Sequence, residues 1–257
     1  MSETLYHHTV GAGPDVVLVH GWGMHSGIWQ EVVASLQRRY RVTLLDLPGH
    51  GYSRTVVAGP GLADLSAAVC AVTPPRAAWV GWSLGGLVAQ HLALTAPERV
   101  TRLVLVSTTP CFMQRPDWPY GIAPLVLRRF AEELRQDYRA VLQRFIALET
   151  YGSARASAQL RQLKALLFQR GDPDQMALEQ GLTILETADL RADVPRITHP
   201  TLLLMGQRDQ LTPAATGQVL RDWLPHAQWY CFAHAGHAPF LSHAVEFVAQ
   251  LEAFLDG

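Results

Sequence analysis

The pentapeptide Gly81-Trp82-Ser83-Leu84-Gly85 restricts the fold more than any other stretch of this chain. The residues before it, 77–80, are short, apolar and partly branched, and read as a buried strand. The residues after it, 84–94, have helical spacing and stop before Pro97. A strand that turns straight into a helix brings its two arms almost into contact. Both flanks of such a turn need residues without side chains. Gly81 and Gly85 meet that need, and Gly86 leaves room for the helix against the sheet. Ser83 is then held on a strained turn, its hydroxyl presented above a helix N-terminus, as a nucleophile requires. The same residues would also suit a tight turn whose serine has no chemical role.

The pattern on either side extends this unit. Residues 16–20 (Val-Val-Leu-Val-His) form a continuous apolar run, the mark of a central parallel strand. Residues 27–38 have helical spacing with Trp29, Val32, Val33 and Leu36 inward, and 41–46 is the next strand. Residues 61–72 read as a helix, and 102–107 as another buried strand. Strand and helix alternate, so the fold class is α/β: a doubly wound, mostly parallel sheet. A length of 257 residues, 49% of them hydrophobic, suits one such domain or one with an insertion.

From 111 to 189 the strand signal disappears. Pro110, Pro116, Pro119 and Pro124 mark a linker, and amphipathic helices follow near 125–133, 137–150, 154–169 and 173–186. We expect a core in two parts, 1–110 and 190–257, with 111–189 inserted as a helical lid over the serine. Residues 124–171 carry nine basic side chains against four acidic ones, a local surplus of five in a chain whose formal net charge is −1. Such a surface suits an acidic partner or simply a solvated helix face. Phe145, Ile146, Ala147 and Leu148 fit either an aliphatic pocket or helix packing.

Two further strands, 201–205 and 228–232, return the chain to the sheet. Asp209 lies just past the first, where open α/β sheets place functional groups, and His237 lies in the loop after the second. Ser83, Asp209 and His237 follow the chain order of an α/β-hydrolase triad. His234 and His243 are the other candidate bases, but neither has the Gly-His-Ala loop that surrounds His237. Asp46 precedes the nucleophile and reads as a loop brace, as does His20. The loop His20-Gly21-Trp22-Gly23 supplies the N–H of Trp22, which with the N–H of Leu84 would form an oxyanion hole. A serine so activated acylates and is then freed by water, with no metal or organic cofactor.

Composition limits the remaining classes. The near-neutral charge leaves no overall attraction to nucleic acid or membrane. Cys70, Cys111 and Cys231 are far apart and without zinc spacing, so neither a disulfide framework nor a metal site is expected. No leader pattern and no bilayer-length apolar run is present, and a cytoplasmic monomer is expected.

Several stretches together resemble one family. They are His20-Gly21-Trp22-Gly23, Asp46-Leu47-Pro48-Gly49, the serine turn through Ala89, Pro97-Glu98-Arg99-Val100, Pro110-Cys111-Phe112 with Trp118-Pro119, residues 144–148, and His237-Ala238-Pro239-Phe240. With these the chain resembles the BioH family, the pimeloyl-acyl-carrier-protein methyl ester esterases of biotin synthesis. The resemblance implies removal of a methyl group from a pimeloyl chain carried on acyl-carrier protein. It implies that Phe145, Ile146, Ala147, Leu148 and Glu149 line the acyl pocket beside Trp22 and Leu84. It also implies that arginines of the insertion grip the small, acidic carrier. Arg144 and Arg161 stand at two such positions. Arg139 and Arg155 lie close to two others, where Ala140 and Ser157 stand instead. The alternatives are a broad short-chain carboxylesterase with the same triad, and a non-catalytic ligand receptor on the same scaffold.

Overall fold

The computed structural model describes residues 4–257. Its seven-stranded sheet has the order β1-β3-β2-β4-β5-β6-β7. The strands are β1 (His7–Val10), β2 (Asp15–Val19), β3 (Arg41–Leu45), β4 (Ala77–Trp82), β5 (Val100–Val106), β6 (Thr201–Gly206) and β7 (Gln228–Phe232). All neighbours pair in parallel except β1, which runs antiparallel to β3. The central strands are covered on both faces, so they read as unbroken apolar runs. Val17, Leu18, Trp79, Val80, Leu203 and Leu204 are all fully buried. The edge strand β1 is mostly exposed, and its His-His-Thr-Val sequence has no apolar run to betray it.

Among the described residues six helices serve the sheet: α1 (Gln30–Leu36), α2 (Leu62–Val72), α3 (Leu84–Thr95), and, numbered after the three inserted helices, α7 (Ala214–Trp223), α8 (Pro239–Ser242) and α9 (Ala244–Asp256). α1 packs with α9, and α2 with α3, giving a helical layer on each side. The expected helix at 27–38 begins as a 3-10 turn, Ser26–Trp29, and continues as α1.

Between β5 and β6 run α4 (Pro124–Thr150), α5 (Ala156–Leu167) and α6 (Gln175–Thr187). The two helices expected at 125–133 and 137–150 form one run, α4, kinked at Asp137. The backbone there is non-helical (φ −151°, ψ 81°). The Asp137 carboxylate accepts the N–H of Ala140 at 3.0 Å and so caps the second arm. Among the described residues no helix is long and apolar enough to cross a membrane.

Candidate active site

The turn after β4 is as tight as its glycines suggest. A Cβ on Gly81 would stand 2.3 Å from the carbonyl oxygen of Gly85, and one on Gly85 2.4 Å from that of Val19. Ser83, between them, has φ 55° and ψ −117°, a conformation that a non-glycine residue adopts only under constraint. Thr108 Oγ1 donates to the Ser83 carbonyl at 2.8 Å, and the Ser83 N–H donates to the Val106 carbonyl at 3.0 Å. These two bonds pin the strained residue to β5 and the loop behind it.

Three sheet ends meet here. Ser83 Oγ lies 2.9 Å from His237 Nε2, and His237 Nδ1 lies 2.8 Å from Asp209 Oδ2. Ser83, His237 and Asp209 are 3%, 1% and 3% exposed, so the contacts are shielded from water. Burial disfavours a charged imidazole, but the charge and hydrogen bond of Asp209, together with the charge of Glu149, outweigh it, and the His237 pKa is raised above 6.5. Asp209 is itself fixed: Oδ1 accepts the N–H groups of Leu211 (2.8 Å) and Thr212 (2.9 Å), and Oδ2 accepts the Thr212 hydroxyl (2.6 Å). The indole of Trp82 donates to the His237 carbonyl at 2.8 Å and holds the histidine loop from below. His234 and His243 stand apart from this relay: His234 is exposed and His243 bonds Ser242 Oγ.

The structure brings the loop after β2 to the same point. A Cβ on Gly21 would lie 3.2 Å from Ser83 Cβ. Among the described residues, no hydrogen bond occupies the main-chain N–H of Trp22 or of Leu84. Both remain available to an oxyanion. His20 and Asp46 act as braces. His20 accepts the Leu47 N–H at 2.9 Å, and burial pushes its pKa down to about 3, so it stays neutral. Asp46 accepts the N–H groups of Ser26 (2.7 Å) and Tyr52 (2.8 Å).

The inserted helices grip that loop as well. The Trp22 indole donates to the Leu178 carbonyl, and His25 Nε2 bonds the Leu166 carbonyl at 2.9 Å. Arg170 donates to Ser26 Oγ at 2.8 Å and pairs with the Asp46 carboxylate at 3.0 Å. The sequence reading did not single out Thr108, Thr212 or Arg170. Thr212 had a local signal, since Asp-x-x-Thr before Pro213 is an Asx-type turn. Arg170 had none, because its partner lies 124 residues away.

The residues 145–149 divide between two surfaces. Phe145, Ile146 and Glu149 are buried, and the Phe145 ring meets Trp22 edge-on at 4.8 Å. Ala147 and Leu148 face away, into a groove of about 470 Å³ between the arms of α4, with Val126, Phe130 and Tyr151. Five consecutive helical residues span more than a full turn, so their side chains point to different sides of α4. The arginines differ too. Arg144 pairs with Glu133, and Arg139 with Asp172 at 2.6 Å. Among the described residues no acid pairs with Arg155, just before α5, or with Arg161, within it.

Comparison with known proteins agrees with this geometry. The family described as alpha/beta hydrolase fold matches residues 14–244. A pimeloyl-(acyl-carrier protein) methyl ester esterase of Xanthomonas axonopodis pv. citri is 46% identical over 246 residues, covering 96% of each chain. The protein of the same description from Nitrosomonas europaea is 44% identical, over 97% of this chain and 99% of its own. Among solved structures, the esterase EaEST from Exiguobacterium antarcticum superposes with a TM-score of 0.88 at 24% identity. The match covers 98% of this chain and 96% of that one. The enol-lactonase of Burkholderia xenovorans gives 0.85 at 24%, over 98% and 96%. At that identity the two structures speak for the fold alone. A serine turn, a buried acid–base relay and near-full-length relatives agree: the chain belongs to the pimeloyl-acyl-carrier-protein methyl ester esterase family of α/β-hydrolases.

Proposed function

We propose that this protein hydrolyses the methyl ester of pimeloyl-acyl-carrier protein, releasing methanol and leaving the pimeloyl chain on its carrier. The 2.9 Å contact between Ser83 Oγ and His237 Nε2 carries the reading, together with the near-full-length relatives. Ser83 Oγ attacks the ester carbonyl while His237 Nε2 takes its proton. Asp209 holds the imidazole tautomer and stabilises the imidazolium. The N–H groups of Trp22 and Leu84 receive the oxyanion. Collapse expels methoxide, which takes the proton from His237 and leaves as methanol. Water, deprotonated by His237, then attacks the acyl-enzyme. Ser83 recovers its proton and the acid is released.

In this reading residues 111–189 act as a lid over a core made of 1–110 and 190–257, and the acidic carrier docks on its basic surface. Arg155 and Arg161, which have no acid partner among the described residues, are the readiest contacts. Arg144 must exchange Glu133 for the carrier, and Arg139 must exchange Asp172. Mass spectrometry of the carrier after reaction tests the assignment. The expected product has lost one methyl group and keeps its acyl chain. Carrier returned with a free thiol would show thioester cleavage and contradict it.

A further inference from the structure

Glu149 takes no part in the chemistry above, yet it lies beside it. It is 1% exposed, and among the described residues neither carboxylate oxygen has a hydrogen-bond partner. Leu142, Phe145 and Glu149 share one face of α4, at spacings of three and four residues. Leu142 lies against Gly23, where an added Cβ would stand 2.5 Å from Leu142 Cδ2. Phe145 meets Trp22, and the main-chain carbonyl of Glu149 accepts the His237 N–H at 2.9 Å. This stripe therefore runs from the oxyanion loop to the catalytic base, and Ser83 adjoins both ends through Gly21 and His237. Glu149 closes the stripe at the histidine end.

The ionisable groups that act on its carboxyl are His237, from the loop after β7, and Asp209, from the loop after β6. Ser153 and Gln159, from the next turn and α5, are buried and uncharged. Gln159 donates to the Ala238 carbonyl at 3.1 Å. Tyr151, Arg155, Arg208 and His234 are exposed, and Arg208 bonds the Gly152 carbonyl. Among the described residues no cation compensates an ionised Glu149 except a protonated His237. Burial accordingly pushes its pKa up to about 8.

We propose that Glu149 reads the charge of the acyl terminus: as the neutral acid it retains the carboxylate product, and once ionised it drives that product out. The inference rests on the esterase reading above. An ester enters uncharged. After deacylation the acid formed gives up its proton, and an anion occupies the same dry site. Two carboxyl groups sharing one proton bind each other, whereas two carboxylates repel. Release of product is then coupled to loss of the Glu149 proton, and binding of the uncharged ester is not.

The test uses the full-length enzyme with methyl hexanoate as substrate, and hexanoate or neutral hexanamide as inhibitor, at pH 7 and pH 9. In the wild type the hexanoate Ki rises with pH. The part due to Glu149, titrating at about 8, is about tenfold over this interval. Glu149 also raises the His237 pKa, so the His237 contribution is taken in each protein from the acid limb of its own kcat/KM profile and removed before the two are compared. The rise in the wild type is therefore expected to be about tenfold larger than in the variant. The hexanamide Ki and the ester KM should not follow it. An equal rise in both proteins, or a parallel rise for hexanamide, would overturn the proposal. Should Glu149→Gln not fold, the wild-type hexanoate Ki decides: a second rise near pH 8, beyond the one that follows the acid limb of kcat/KM, is expected, and its absence overturns the proposal. Hydrolysis that stops in Ser83→Ala checks the esterase reading separately, and its absence in the wild type would overturn both.

Discussion

The indole N–H of Trp22 donates to the main-chain carbonyl of Leu178, 2.9 Å away and 156 residues further along the chain. One turn on, Gly181 admits the ring: a Cβ there would stand 2.5 Å from Trp22 Cδ1. The residue proposed as an oxyanion donor is thus held in place by α6 of the insertion, not by the sheet alone. His25 and Ser26 are tied to the Leu166 carbonyl and to Arg170 in the same way. Three bonds from the insertion hold the loop that carries Trp22.

Trp22→Phe keeps an aromatic ring against Phe145 but removes the indole donor and part of the ring volume. It leaves a buried carbonyl unpaired, a loss of about 1–3 kcal/mol. We expect kcat to fall by about tenfold for carrier-linked and small esters alike, with little change in KM. Steady-state kinetics on both substrates checks this.

Asp209 raises the His237 pKa, and the base must be neutral to accept the Ser83 proton. Activity in the wild type should therefore rise with pH through an apparent pKa above 6.5. In Asp209→Asn the stabilising charge is gone and the tautomer is no longer held. The acid limb of kcat/KM should move to lower pH, and the plateau should drop by on the order of a thousandfold or more. A pH–rate profile from pH 5 to 9 reads both effects.

Much of this was legible in the sequence, and the reason is local. Gly81 and Gly85 are required by contacts within the turn itself, and the buried strands announce themselves as apolar runs. The positions of Asp209 and His237 followed from lying just beyond such strands. What the sequence hid was long-range. Arg170 finds Asp46 across the fold, and nothing near either residue records it. The direction of Ala147 and Leu148 was hidden for another reason. An apolar helical run shows that some face is buried, but not which residues turn toward which cavity. Strand β1, mostly exposed at the sheet edge, carries no hydrophobic pattern at all.

Glu149 also marks the stability of the protein. Its folded pKa is raised from 4.5 to about 8, so the unfolded chain loses this proton first as pH rises. The contribution is present below pH 4.5 and is lost progressively up to about pH 8. Glu149→Gln removes that penalty. Relative to wild type its Tm should be higher at pH 8 by a few degrees, and the gain should shrink at pH 5. Thermal unfolding at the two pH values checks the sign.

Charge reversal separates carrier recognition from chemistry. Arg161→Glu removes a cation that has no acid partner among the described residues, while Arg144→Glu also breaks the pair with Glu133. Each should raise KM for the carrier-linked substrate by about tenfold in low salt, with small-ester turnover unchanged. Equal effects on both substrates would show that these arginines act on the fold.

Ser83 is expected to be the residue that removes the methyl group from a carrier-bound acyl ester. Methanol release from pimeloyl-carrier methyl ester measures this, comparing wild type with Ser83→Ala in low and high salt. We predict fast turnover by the wild type that slows as salt screens the basic insertion, and none above background in Ser83→Ala. Turnover that persists in Ser83→Ala, or a wild type that cleaves small esters but not the carrier-bound one, would contradict it.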